Sequence, residues 1–264
     1  MREETRLMEG SLKRKLAALA SRYETAAFLD GDPSFFMHQA RGRRNAEATA
    51  FVAAALSFGS RSVFMGKLRL IFGLAGGDMD GYVRGGGYAD DFRPGDKSNF
   101  YRFFSRGDMN SFFGEYSSVL SEYGTLGSFV RERSGGDALG AVKAICSRFA
   151  GKSGGLIPAD SKSACKRLCM FLRWMVRGGS PVDLGLWEDF IDRSTLVIPL
   201  DTHVAAEARR LGLLECSSAS MSAALKLTAI LSEAFPGDPC RGDYALFGLG
   251  VDRSVVGKRR GAGG

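Results

Sequence analysis

Residues 157–177 read IPADSKSACKRLCMFLRWMVR and run into Gly178-Gly179. On a helical wheel of about 100° per residue, Lys162, Lys166, Arg173 and Arg177 fall within about 60° of one another. Ala164, Leu168, Phe171, Leu172 and Met175 gather on the other side. The spacing predicts a helix from Lys162 to Arg177 with a core face and an opposite stripe of four cations, spread over about 22 Å of helix axis. A solvated helix face usually mixes acids with bases, yet no acid occurs between Lys162 and Arg177. Like charges one turn apart repel. A phosphate backbone along the stripe relieves that repulsion; a plain solvated face is the alternative reading.

Downstream, Leu196-Val197-Ile198-Pro199-Leu200 is a short β-like apolar stretch that ends at Asp201-Thr202-His203-Val204. A helix is expected to begin at Asp201. Val204, Ala205, Ala208 and Leu211 form its apolar face, and Gly212 stands where a terminating glycine belongs. Asp201 then serves as the N-cap, worth about 1 kcal/mol. A carboxylate there is also held ionised by the helix dipole and backbone N–H groups, which suits it to stabilise a cation. His203 is read as structural because a side chain one residue along the helix points elsewhere. His38 has no evident partner, so a Ser-His or Cys-His catalytic unit finds no support.

The rest of the chain reads as helices. The spacing predicts them over Ser11–Phe28, Ala46–Phe58 (with Asn45 as N-cap), Ser62–Phe72, Phe100–Phe104, Met109–Tyr123, Leu126–Arg133 and Ala138–Phe149. Glycine clusters at 76–77, 85–87 and 151–155 mark connections. No sustained strand alternation and no internal repeat occurs, so the fold class is all-α.

The 264 residues are 45% hydrophobic and 25% charged, the balance of a folded chain rather than a disordered one. Lys and Arg total 36 against 29 Asp and Glu, a net charge of +7 that makes an anionic partner plausible. No apolar run reaches the ~18 residues of a membrane span. The N-terminus is charged from Arg2 onward, unlike the usual secretory signal. Five cysteines, Cys146, Cys165, Cys169, Cys216 and Cys240, fit neither a disulfide framework nor a zinc or iron–sulfur site and read as small buried residues. The expectation is a cytoplasmic protein with no membrane partner, metal or cofactor.

Two segments together resemble the helix-hairpin-helix DNA glycosylase superfamily. That family carries Leu-Pro-Gly-x-Gly-x-Lys-x-Ala, then Val-Asp-Thr-His-Val, then an Arg-Leu-Gly-Leu helix end. Here the stretches are Ile157-Pro158 with Lys162-Ser163-Ala164, then Leu200-Asp201-Thr202-His203-Val204, then Arg210-Leu211-Gly212-Leu213. The closing Asp243-Tyr244-Ala245-Leu246-Phe247-Gly248-Leu249-Gly250 is similar to the family's final helix. The likeness covers residues 157–250. The Lys162 to Asp201 spacing is nearer that of archaeal 8-oxoguanine DNA glycosylases than of common members, with the extra residues at 178–194 and Trp187 as their anchor. An uncharacterised bacterial group shares the Cys165-Lys166-Arg167-Leu168 segment and the residues that follow it.

The resemblance implies one all-α domain over residues 1–264, with a helix-hairpin-helix-like core at about 157–250, a mobile basic tail at 253–264, and two helical subdomains flanking a cleft. It implies a base-excision DNA N-glycosylase acting on damaged or abasic duplex DNA, with AP-lyase activity through a lysine Schiff base. Lys166, Lys162 and Asp201 are the catalytic candidates. The motif position favours Lys162, and the cationic neighbours of Lys166 favour Lys166. Arg61, Lys67, Arg69, Arg173 and Arg177 are the DNA-binding candidates. Phe35, Phe36, Trp174 and Trp187 are aromatic enough to stack on a base but read as core. The hairpin glycines are replaced by Ala159, Asp160 and Ser161, and Phe58-Gly59-Ser60-Arg61 stands where the family has a glutamine before its DNA-wedging loop. Two alternatives stay open: a nucleic-acid-binding protein of this fold without catalysis, and a helical protein-interaction domain. The base recognised and the oligomeric state are not legible.

Overall fold

The computed structural model describes residues 8–215 and 218–250. Helices dominate: α1 (Gly10–Tyr23), α2 (Ser34–Gln39), α3 (Arg43–Leu56), α4 (Arg61–Leu74), α5 (Met79–Arg84) and α6 (Tyr88–Asp91) precede a small hairpin, β1 (Asn99–Tyr101) and β2 (Phe104–Ser105). Then follow α7 (Arg106–Tyr123), α8 (Leu126–Arg133), α9 (Ala138–Phe149), α10 (Lys166–Val176), α11 (Thr202–Arg210) and α12 (Met221–Ala234). Residues 241–250 are helical as well. The helical expectation holds, and the two-stranded hairpin is the one sheet among the described residues. No helix among these residues is long and apolar enough to cross a membrane. Cys216 and the tail at 253–264 lie outside the described residues.

α3 is the axis of the molecule. Its run of alanines lets neighbouring backbones come close, and every residue from Asn45 to Leu56 is buried. α2, α4, α5, α8 and α10 pack around it. Phe51 fills the widest gap, with the rings of Tyr116, Phe171, Phe149 and Phe112 centred 4.9, 5.3, 5.5 and 5.7 Å away. Offset and edge-on aromatic packing of this kind adds stability beyond the area buried.

Three polar residues, Asn45, Glu47 and Thr49, are buried on this apolar helix, and the first two each hold a neighbouring element. Asn45 is inside the helix rather than capping it, correcting the expected start. Its Oδ1 accepts from the Met79 amide at 2.8 Å and its Nδ2 donates to the Gly77 carbonyl at 2.8 Å, so it fixes the entry to α5. The Glu47 carboxylate accepts from the amides of Leu126 (2.8 Å) and Gly127 (3.2 Å) at the start of α8, and from Trp187 Nε1 (2.9 Å). A side chain at position 127 would run into both Trp187 and Glu47, so glycine is required there. Burial pushes the Glu47 carboxyl above its ordinary range despite the three donors.

Four expected elements differ. The helix expected over Ser11–Phe28 ends at Tyr23, and Ala26–Leu29 forms a separate 3-10 turn. Phe100–Phe104 forms the β1–β2 hairpin rather than a helix: its aromatic residues favour strands, and Arg102 turns the chain with a left-handed φ of 53°. Leu196–Leu200 is buried and extended but pairs with no strand. The long basic helix begins four residues late, at Lys166. Ser163 instead bridges to Ser220, the Ala164 amide donates to the Ala219 carbonyl (3.0 Å), and the Met221 amide donates to the Lys162 carbonyl (3.1 Å). The segment after α10 folds back along it. The amides of Leu184 and Trp187 each donate at 2.7 Å, to the carbonyls of Trp174 and Met175. Trp187 is buried edge-on to Phe171 at 5.1 Å, the anchor expected of it.

Glu47→Ala leaves three buried donors unpaired, each worth about 1–3 kcal/mol. The variant is expected to lose at least about 3 kcal/mol in urea unfolding. Because the folded-state pKa of Glu47 is raised, its contribution is full below its ordinary value of 4.5 and fades as pH rises through the folded value. Glu47→Gln lacks this titration. The stability difference between parent and Glu47→Gln should therefore move against the parent as pH increases.

Candidate active site

Two chain segments that begin helices meet at one point. Asp201 precedes α11 and caps it: Oδ1 accepts from the amides of His203 (2.9 Å) and Val204 (2.8 Å). Oδ2 is left to face α10, where Lys166 Nζ lies 3.1 Å away. The buried stretch before Asp201 is held by the Ile198 amide, which donates to Thr228 Oγ1 of α12 at 3.0 Å. Lys166 is aimed by Cys165, whose left-handed φ of 44° turns the chain into the first residue of α10. Both partners remain accessible, at 37% and 27% side-chain exposure, so a substrate can reach them. Burial works to raise the Asp201 carboxyl. The charge of Lys166 and the Val204 amide outweigh it and hold the group below its ordinary 3.8, so it is ionised at neutral pH.

The pair stands between two adjoining hollows of about 590 and 730 Å³ that share Asp32, Arg61, Lys166, Met170, Asp201 and His203. The first adds apolar walls from Phe28, Leu246 and Phe247, with Asp243 and Arg173 behind them. The second opens past Phe58, Gly59, Pro158 and Cys165. Lys166 lines both hollows, whereas Lys162 is 91% exposed and 3.8 Å from Asp160. Of the two lysines, the structure therefore joins Lys166 to Asp201.

The cation stripe is not a surface. Arg173 and Arg177 are buried, each with 4% side-chain exposure, correcting their assignment as DNA-binding residues. Arg173 Nε donates to Asp183 at 3.2 Å, and its Nη1 donates to Asp243. Arg177 donates to Asp183, to Asp238 at 2.9 Å and to Glu24 at 2.6 Å. The acids that balance these arginines come from other segments, so the acid-free reading of residues 162–177 is locally right and misleading in three dimensions. The guanidinium carbons lie 4.6 and 5.4 Å from the centre of the Tyr244 ring.

Of the remaining candidate cations, Arg61 lines both hollows and Lys67 and Arg69 line neither. Arg61 is exposed on the first turn of α4 and lies 5.7 Å from the Phe247 ring centre. Lys67 sits 4.7 Å over the Phe100 ring, and Arg69 is exposed. His38 Nε2 is 2.8 Å from the Val182 carbonyl, a structural contact. His203 lines both hollows, and the structure adds it to the site's surroundings. Trp174, Trp187 and Phe36 pack in the interior, while Phe35 is 42% exposed. Cys146, Cys165, Cys169 and Cys240 are buried and free. Among the described residues no histidine, cysteine and carboxylate cluster could hold a metal ion.

Asp32 and Asp243 were not legible as site residues. Asp32 Oδ1 is occupied by the amide (3.0 Å) and hydroxyl (2.6 Å) of Ser34. Burial pushes Asp243 up although Arg173 opposes it, and the charge of Asp201 adds to the rise. The two carboxylates near Lys166 are thus driven apart, Asp201 downward and Asp243 upward. A pair tuned in opposite directions is the arrangement that separates a permanent anion from a proton carrier.

A family model described as a protein of unknown function, DUF2400, matches residues 32–252. The chain belongs to that family. The matched span begins at Asp32 and contains Lys166, Asp201 and Asp243. No curated protein and no solved structure matches the chain.

Removing one partner from a buried ion-pair network costs about 3–5 kcal/mol because the remaining charges stay behind unpaired. Arg177→Ala is therefore expected to lower unfolding stability by that amount. A fully folded Arg177→Ala chain with unchanged denaturation midpoint would show that the arginine is not held inside.

Proposed function

We propose that the chain is a DNA N-glycosylase with lyase activity, working on damaged or abasic duplex DNA with Lys166 as nucleophile and Asp201 as the anion that supports it. The observation that carries this reading is the 3.1 Å approach of Lys166 Nζ to Asp201 Oδ2 at the junction of two open hollows. As a target base leaves, positive charge develops at C1′ of its sugar, and a carboxylate held ionised beside that carbon stabilises it. The departing base takes up a proton, for which the Lys166 ammonium is a source. The freed amine adds to C1′, and opening of the sugar ring gives the Schiff base from which the strand is cut.

The fold is read in the same way. The α9–α10 connection, with Gly154 and Gly155 at φ of 58° and 87°, takes the part of the hairpin, and the helices on either side of the cleft take the part of two subdomains. Duplex DNA is then met by Arg61, Lys67 and Arg69, not by Arg173 or Arg177, and the flipped base enters the apolar hollow beside Phe28 and Phe247. The internal pairing of Arg173 and Arg177 favours a second reading, a helical interaction protein, because it removes the cation stripe as an argument for DNA.

Borohydride trapping on an abasic duplex decides between them. The parent is expected to give a covalent adduct, Lys166→Gln none, and Lys162→Gln an undiminished one. Asp201→Asn keeps the cap and removes the charge, and should slow base release by about a hundredfold or more. An adduct that survives Lys166→Gln and vanishes with Lys162→Gln moves the nucleophile to Lys162. The absence of any adduct with the parent sinks the lyase.

A further inference from the structure

Phe103 is 72% exposed, the most of any large apolar residue among those described. It is not on a loose loop. Arg102 and Phe103 form the two-residue turn between β1 and β2, where Tyr101 pairs with Phe104. Asn99 Nδ2 donates to the Arg102 carbonyl, and Tyr101 Oη donates to the Phe58 carbonyl. Phe58 packs on Tyr101, Phe104 and Phe103 with ring centres 4.9, 5.6 and 6.1 Å away. The turn is therefore braced against the rim of the cleft, since Phe58 and Gly59 line the same hollow as Lys166 and Asp201. Gly59 has a φ of 82°, and a side chain there would collide with Arg102 and Tyr101.

The turn is also charged and strained. Arg102 adopts a φ of 53°, a conformation that glycine takes freely and arginine does not. Backbone outliers of this kind persist where the surroundings over-determine them, and they cluster at binding sites. Its guanidinium carbon lies 5.8 Å from the Phe58 ring centre and 6.0 Å from that of Phe103. The chain thus holds out an aromatic ring and a cation together.

We propose that this hairpin tip is a stacking contact for an unpaired nucleobase at the mouth of the Lys166–Asp201 cleft, with Arg102 meeting the adjoining phosphate. The proposal rests on the DNA reading above. An exposed aromatic ring takes any base on its face, and a neighbouring arginine adds attraction for the backbone that carries the base. An apolar protein surface or a lipid tail would satisfy the ring alone and leave the strained, charged turn without a task.

Phe103→Trp in the full chain turns the contact into a signal, because Trp174 and Trp187 are both buried. The introduced indole is titrated with oligothymidylate and with an abasic sugar–phosphate oligomer of equal length and charge. Quenching by the first and not the second is expected. In the otherwise native chain, Phe103→Ser should weaken oligothymidylate binding about tenfold, within what one base–aromatic stack supplies, and leave abasic-oligomer binding unchanged. Equal responses to the two oligomers, or unchanged affinity in Phe103→Ser, overturn the stacking contact while leaving the DNA reading intact. A parent chain that binds neither oligomer overturns the stacking contact, and one that also fails to bind an abasic duplex overturns the DNA reading with it. A blue shift on phosphatidylserine vesicles, or one that grows with protein concentration, without quenching by oligothymidylate, overturns the proposal in favour of a lipid or a second copy of the chain.

Discussion

Arg173 in the last turn of α10 and Arg177 just after its end carry their charge into the interior, where Asp183 meets both. Taking charges out of water costs several kcal/mol per ion, recovered only when each has close partners with good geometry. The partners come from four places. Glu24 follows α1, Asp183 comes from the segment that folds back after α10, and Asp238 precedes the last helix, which supplies Asp243 and Tyr244. No single pair could be kept without the others, because each acid left alone would be a buried uncompensated charge. The network thus clamps the C-terminal half of α10 to the two ends of the chain. Lys166 at the other end of the same helix and Asp243 beside Arg173 take their positions from that clamp.

The site's electrostatics follow from that placement. Asp243 accepts from Arg173, while Asp201 faces Lys166 with one oxygen because its other oxygen is committed to the α11 amides. The two carboxylates differ in exposure. Asp201 is partly open and supported by a lysine and two N–H groups, which favour its anion. Asp243 is sunk deeper, where burial favours its protonated form. The start of α11 thereby presents a negative charge and the start of α10 a positive one on the cleft wall, while α10 keeps its surplus cations inside.

How much of this could be read from the residues depends on the range of the interaction. The helices were legible because their apolar positions repeat within a few residues, and Asp201 as a cap was legible because its donors are two and three residues away. The Lys166–Asp201 contact was open to inference only through motif resemblance, since 35 residues separate the partners. The fate of Arg173 and Arg177 was not legible. Their balancing acids are 6 to 153 residues distant, and a helical wheel sees only the charges on its own helix. The hairpin at 99–105 failed for a different reason. A left-handed arginine reverses the chain there, and the side-chain spacing of so short a run does not separate a turn of helix from a pair of strands.

The distribution of positive charge then acquires a physical meaning that the net value of +7 does not convey. Arg173 and Arg177 are neutralised by buried acids and contribute little field outside the protein. Arg61, Lys67, Arg69 and Arg102 stand on α4 and the neighbouring hairpin, and three of them lie over aromatic rings, Arg61 over Phe247, Lys67 over Phe100 and Arg102 over Phe58. A cation lying over a ring keeps its charge exposed to a partner while its stem is held in place. α4 and the hairpin carry these cations, and the starts of α10 and α11 carry Lys166 and Asp201. The two meet at Phe58-Gly59-Ser60-Arg61, where Phe58 and Gly59 brace the hairpin tip and Arg61 reaches both hollows. A change in this short loop would therefore displace the hairpin and Arg61 relative to Lys166 and Asp201 without touching either residue.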